Sequence, residues 1–395
     1  MFLKSVIVNI NRERNVKKWK IIKQLIIYKH GILTKNRIIK YDIGRTFAIL
    51  CVILCHCVEA IYNIFNVNTW GSLSNQSRIF MFIAFTIGRL GVPIFLFLSG
   101  ALLLKKQIDT DEDVFKFYKN NLLPLVIVNI IWIIIYNIFF IFTNQQENVT
   151  IKNIIKEILI MKQVPTPNMW YFPMIIGVYI GIPFVAKIIK TFSFKILSVA
   201  IIVNFISFFL IPNINIFLNI FGINENLSTL LDLQFLGGAY AIYIILGYFI
   251  SNNFKVKIKS IYIGLIAIVN FIFVLGMQIL SFRKASNFSY YVWYDNTFLL
   301  ITTICLFVLF CRIDDSKLSN KMKILFNFIS KISLALFFIH YIMIYLLKNY
   351  VLKINCIIPL KVIILFIFVT LSSIFIIYIL KKIKLIKKYV FLAKD

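Results

Sequence analysis

Five ionisable residues stand inside stretches that are otherwise strongly apolar: Arg45, His56, Glu59, Arg89 and His340. Such groups are expensive in apolar surroundings, and each is by default a candidate for function. Arg45 and His56 are eleven residues apart. At roughly 100° per residue, eleven steps return a helix to nearly the same face. Arg45, Ile49, Val52 and His56 therefore form one stripe, with a fixed cation at one end and a titratable imidazole deep along it. Guanidinium suits phosphate through paired, charge-assisted hydrogen bonds. Imidazole takes up and returns a proton near neutral pH. The pair reads as a site for an anionic, phosphate-bearing donor whose reactive end reaches the histidine. Glu59, one turn beyond, either orients His56 or sits at the outer interface. Arg45 alone would also suit an interfacial anchor, and a lone intramembrane histidine a packing residue bonded across helices. Cys51, Cys55 and Cys57 flank His56, but Cys57 turns to another face and no second ligand cluster exists. No metal site is expected, and these cysteines read as small buried hydrophobes.

The elements that carry these residues follow from composition. Of 395 residues, 61% are hydrophobic, including 40 Phe and 19 Tyr, and only 15% are charged. Mean hydropathy is +0.89. A soluble fold could not hide that much apolar surface, which leaves an integral membrane protein. Ten runs approach the roughly 20 residues a bilayer needs: 44–64, 79–104, 121–143, 170–190, 193–212, 235–250, 258–281, 296–312, 328–348 and 357–380. They are continuously apolar, so they are expected to be helices rather than barrel strands. The fold class is thus all-α and polytopic, with about ten transmembrane helices.

The net charge of +28 reads as cytoplasmic flanks beside these spans rather than as a nucleic-acid surface, and no nucleic-acid partner is expected. With the N-terminus inside, the cytoplasmic segments hold about three quarters of the 43 basic residues, which favours both termini in the cytoplasm. Three parts follow: a basic segment 1–43, either solvated or lying on anionic lipid; a transmembrane domain 44–380; and a basic tail 381–395. His56 and His340 each lie twelve residues into runs that start inside, roughly 18 Å deep at 1.5 Å per residue. Arg89 descends from the outside to a similar level. Three polar groups from three helices are thus expected to converge past the midplane.

Several segments resemble the membrane acyltransferase type 3 family. In the first run, Asp42, Arg45, Ala48 and His56 fall at the spacing of that family's Arg-x10-His signature. Arg89-Leu90-Gly91-Val92-Pro93 through Ser99-Gly100 is similar to its second-helix motif. Met169-Trp170-Tyr171-Phe172 with Gly177, Tyr179 and Pro183 resembles its fourth helix, and Leu246-Gly247-Tyr248 and Phe338-Ile339-His340 resemble later stretches. The likeness covers about 40–380.

The resemblance implies transfer of an acyl group, above all acetyl, from cytoplasmic acyl-CoA to a hydroxyl of a cell-envelope glycan or lipid-linked sugar. Acyl-CoA would be a donor substrate, with no permanently bound cofactor. The partners would be the lipid bilayer, acyl-CoA and the glycan, with the oligomeric state open and the protein multi-pass in the plasma membrane. Where family members carry a further C-terminal hydrolase-like domain, this chain resembles the stand-alone branch. His56 would be general base, with Glu59 beside it, and Arg45 and Arg89 would bind the donor. Asp42, Ser99 and His340 would support them, although Ser99-Gly100 also suits close helix packing. Trp170, Tyr290, Tyr291 and Trp293 would face the acceptor, since aromatic rings pack on the C–H faces of sugars. The same aromatics also fit an interfacial belt. A transporter or glycan flippase with a polar midplane pathway is the alternative, although no inverted repeat is apparent.

Overall fold

The computed structural model describes residues 38–392 except 65, 67–68, 144–148, 232–236, 253–256 and 285–291. Among the described residues there is no strand, as expected where backbone groups must be paired within each segment. The helices are α1 (Ile39–Tyr62), α2 (Asn75–Arg89), α3 (Gly91–Leu103), α4 (Asp111–Phe117), α5 (Leu123–Thr143), α6 (Ile151–Ile158), α7 (Tyr171–Thr191), α8 (Phe194–Phe205), α9 (Ile211–Phe221), α10 (Gly238–Asn252), α11 (Ser260–Lys284), α12 (Thr297–Cys311), α13 (Asn320–Leu352) and α14 (Ile358–Leu380).

Among the described residues, the ten expected runs correspond to eight segments long and apolar enough to span a membrane and two shorter apolar helices, α10 and α12. At 1.5 Å per residue, the 15 residues of each reach about 22 Å, short of a hydrocarbon core of about 30 Å. Several spans are longer than their apolar runs. The first helix begins at Ile39, so Asp42 lies in its first turn. The third span runs from Asp111 to Thr143, ten residues ahead of the apolar run 121–143.

Prolines account for the interruptions. Pro93 has no N–H for the carbonyl four residues earlier, which is that of Arg89. The helix breaks at Leu90, whose N–H turns back to Ile87 and Gly88. Pro124 and Pro212 each follow a π-helical stretch, Tyr118–Leu122 and Ile206–Leu210. The wider π turn accommodates the ring that would clash with a regular α-helical carbonyl.

Helix α1 is the hub and packs against α2, α3, α13 and α14. Of its most apolar window 61% is buried, against 11% for the α8–α9 segment, which lies at the lipid-facing periphery. Glycines bring the inner helices into backbone contact. A Cβ on Gly100 would lie 1.8 Å from the Ile244 carbonyl oxygen, and one on Gly247 2.2 Å from that of Phe97, so α3 and α10 touch through both. A Cβ on Gly91 would lie 2.6 Å from the Ala48 carbonyl oxygen, which seats the α2–α3 break on α1.

Of the segment 1–43, residues 1–37 lie outside the described part. The tail is more than a solvated basic end over its described residues. Ile386–Val390 form a π turn, Trp132 Nε1 donates to the Val390 carbonyl at 3.0 Å, and Phe391 is buried.

Candidate active site

His56 sits in the C-terminal half of α1, with Glu59 one turn on. Its Nδ1 lies 2.6 Å from Glu59 Oε2. An ionised carboxylate only accepts, so Nδ1 carries the proton and Nε2 is left as the basic nitrogen. The other oxygen of Glu59 is 3.6 Å from Arg89 Nη2. Glu59 is thus the hinge of the cluster, since it fixes the imidazole and neutralises the guanidinium. Both partners are nearly excluded from solvent, where an unpaired charge would be very costly.

Arg89 is placed by the proline break, at the last residue of α2. Its Nη1 donates to the Tyr294 hydroxyl at 3.1 Å. Its guanidinium carbon lies 4.6 Å from the Phe85 ring centre and 4.7 Å from that of Trp293. Its Nε is buried with no partner among the described residues. A cation held by aromatic faces with one donor unused is ready to receive an anion.

His340 arrives from α13. Its ring stacks on that of His56, with centroids 5.3 Å apart. Nδ1 of His340 lies 2.9 Å from the Leu336 carbonyl, to which it donates. Its Nε2 is buried without a partner among the described residues. The structure therefore brings His56, Glu59, Arg89 and His340 together from three helices.

Beside His56 and Arg89 is a cavity of about 20 Å³, lined also by Asn168, Trp170, Tyr171, Tyr294 and Phe337, among others. That is room for about one water molecule. Asn168 donates to the Tyr136 hydroxyl at 3.1 Å and to the Phe337 carbonyl at 3.2 Å, while its own oxygen has no partner among the described residues.

Arg45 is not in this cluster. It lies on the same α1 face near the opposite end, in a second cavity of about 230 Å³ walled by Leu98, Leu102, Tyr179 and Ser333. It donates to Ser330 Oγ at 3.0 Å and lies 3.6 Å from Asp42. Ser330 in turn donates to Asp42 at 2.6 Å. Asp42 thus positions Arg45 and does not reach the histidines. Ser99 also lines this second cavity; its hydroxyl donates to the Phe95 carbonyl in its own helix, and the close helix contact falls to Gly100. Tyr171 and Phe337 line both cavities with their rings 5.3 Å apart. They form the partition between Arg45's cavity and His56.

Of the aromatics expected to face an acceptor, Trp170 stacks on Tyr294 at 5.5 Å and borders the histidine cavity. Trp293 is half-exposed beside Arg89. Tyr290 and Tyr291 lie outside the described residues. Sequence reasoning did not single out Tyr294, Asn168 or Ser330. Tyr294 adjoins Trp293, and Asn168 directly precedes the Met169-Trp170 motif, so both carried a positional signal. Ser330 carried none. Among the described residues no group of three His, Cys, Asp or Glu is placed to hold a metal ion.

Long apolar helices around a buried His–Glu–Arg cluster define a multi-pass membrane protein with a polar chemical centre. The chain belongs to the membrane acyltransferase type 3 family, whose acyltransferase domain matches residues 38–382. Neither a curated protein nor a solved structure matches it significantly.

Proposed function

We propose that this protein transfers an acyl group, with acetyl the first expectation, from cytoplasmic acyl-CoA to a hydroxyl of a cell-envelope sugar. One observation carries this reading: His56 Nδ1 is held by Glu59, which makes Nε2 the basic nitrogen, in a cluster with the unused donor of Arg89. His56 Nε2 takes the proton of the acceptor hydroxyl as its oxygen attacks the thioester carbonyl. A C–O bond forms and the carbonyl oxygen becomes an oxyanion, which Arg89 stabilises as a preorganised cation in low dielectric. Collapse breaks the C–S bond. The imidazolium returns its proton to the departing thiolate, leaving ester and free thiol. His340 supports the His56 ring through stacking.

Arg45 holds a phosphate of the donor at the cytoplasmic end, and the pantetheine arm lies in the apolar cavity along α1. The small histidine cavity does not admit an acyl chain while Tyr171 and Phe337 remain closed, so these two rings must part for the thioester to reach His56. In this reading both termini are cytoplasmic and the protein resides in the plasma membrane. The acyl group crosses most of the bilayer while the nucleotide stays inside.

Membranes carrying the full chain, given labelled acetyl-CoA, should transfer label to envelope glycan. His56→Ala should lower that transfer by about 10²–10⁴-fold, the usual worth of a general base, at unchanged protein level. A well-expressed His56→Ala variant of full activity would sink the mechanism.

A further inference from the structure

A third cavity, of about 280 Å³, opens beside α6. Its polar lining is Asn129, Glu157 and Gln163 with Lys162, and Trp170 forms an aromatic wall. Asn129 and Glu157 are each 3% exposed. Asn129 Oδ1 is buried with no hydrogen-bond partner among the described residues. Glu157 is met by Asn137, whose amide donates to Oε2 at 2.8 Å, and no cation lies within ion-pair distance of it among the described residues. A buried amide oxygen and a carboxylate short of donors ask for hydroxyls. A hydroxyl-rich ring against an indole face supplies both contacts. The volume is near the lower end of small-molecule sites, about 300 Å³, which fits one or two sugar rings and no folded polymer. Trp170 also lines the histidine cavity, so a sugar seated here lies one side chain from His56.

The rim of this cavity differs from its floor. Ile160 and Met161 border it, and Met161 is 75% exposed. Along α6, Ile151, Ile155 and Leu159 repeat every four residues on one exposed face, the pattern of a helix whose apolar side enters the bilayer interface. α6 joins the ends of two spans, α5 and α7, so this stripe lies at one end of the bundle. Ile160 is held at φ 59°, strained backbone for a β-branched side chain. The surrounding bonds explain how it is held. Ile160 N–H bonds the Glu157 carbonyl at 3.1 Å and Met161 N–H that of Lys156 at 2.8 Å. This pair closes a Schellman cap, in which glycine usually takes the left-handed position. Here an isoleucine takes it and places an apolar side chain at the cavity mouth.

We propose that this cavity binds the sugar of a lipid-carried acceptor: the ring rests on Asn129, Glu157 and Trp170, and the lipid leaves past Ile160 and Met161 into the outer leaflet. A soluble glycan would leave that apolar rim unused. The proposal rests on the acyl-transfer reading for its purpose and on the cavity alone for its chemistry.

The test places a photo-crosslinking amino acid at Gln163 of the full chain in its native membranes, with a second version at the lipid-facing Ile196 as reference. After irradiation, mass spectrometry of the purified chain should find a sugar-bearing lipid at 163 and ordinary phospholipid at 196. Glu157→Gln should cut the sugar-lipid adduct at 163 at least tenfold and leave the adduct at 196 unchanged, which shows that the variant is folded. If Glu157→Gln does not accumulate, Ile160→Ser serves the same purpose at the rim. Adducts of glycan without lipid, of phospholipid without sugar, or no adduct at 163 overturn the proposal. Combined with His56→Ala, the adduct should persist while transfer is lost. An adduct that persists with transfer intact would sink the catalytic assignment and leave the binding site standing.

Discussion

Glu59 decides more at the candidate active site than its position in the sequence suggests. It touches both His56 and Arg89, so Glu59→Gln strips the partner charge from a buried guanidinium as well as loosening the imidazole. Breaking a buried pair on one side costs about 3–5 kcal/mol. Glu59→Gln should therefore lose thermal stability in detergent as well as activity, whereas His56→Ala loses activity with stability nearly unchanged. Equal melting temperatures for the two variants would contradict this division. Arg45 makes a different prediction. Its contacts to Ser330 and Asp42, both through Nη1, orient a planar guanidinium that lysine cannot reproduce. Arg45→Lys should raise the acyl-CoA KM roughly tenfold or more, the worth of one charge-assisted hydrogen bond, with kcat little changed. An unaltered KM would reduce Arg45 to an interface anchor.

At the scale of elements, proline and glycine set the frame. Pro93 ends α2 at Arg89, so the motif Arg89-Leu90-Gly91-Val92-Pro93 is a device for presenting a guanidinium at a helix end. Gly100 and Gly247 let α3 and α10 pack backbone to backbone. Gly100→Ala should force them apart and cost about 1–3 kcal/mol, the usual penalty of overpacking. Gly177, with open space where its Cβ would be, provides the control. Gly177→Ala should be neutral or stabilising by about 0.5–1 kcal/mol. Thermal unfolding followed by size-exclusion chromatography distinguishes the two, and a Gly100→Ala protein as stable as the parent would refute the contact. The described lengths of α10 and α12 show that an apolar run reports hydrophobicity and not helix length: Asn296 caps α12 and sets where it starts.

For the whole molecule, the arrangement predicts sidedness. The basic residues favour the N-terminus, the α12–α13 connection and the tail inside, with the α1–α2 connection outside. Single cysteines at Ser72 and Ser316, both exposed, in a cysteine-free background should report this with a membrane-impermeant thiol reagent. Ser72→Cys should label in intact cells and Ser316→Cys only after lysis. The opposite pattern would turn Arg45 away from the cytoplasmic donor pool and end the proposed route. The tail belongs to this scale too. Its packing through Trp132 and Phe391 was hidden by its lysines, which dominate composition while the apolar residues between them do the packing.

Sequence alone determined that the chain is helical and membrane-embedded, because that follows from hydropathy and from the need to pair every backbone group in lipid. It also singled out Arg45, His56, Arg89 and His340, because charges in apolar runs are conspicuous by their cost. Tertiary structure alone decided how they divide. Arg45 and Asp42 form one centre with Ser330, while His56, Glu59, Arg89 and His340 form another, and Tyr171 and Phe337 stand between them. Helical periodicity places residues on a face of their own helix and says nothing about which neighbouring helix that face meets. Ser330, Tyr294, Asn168 and the α6 cavity with Asn129 and Glu157 therefore stayed invisible. Their roles come from contacts between segments from 20 to nearly 300 residues apart, which only the packed bundle brings together.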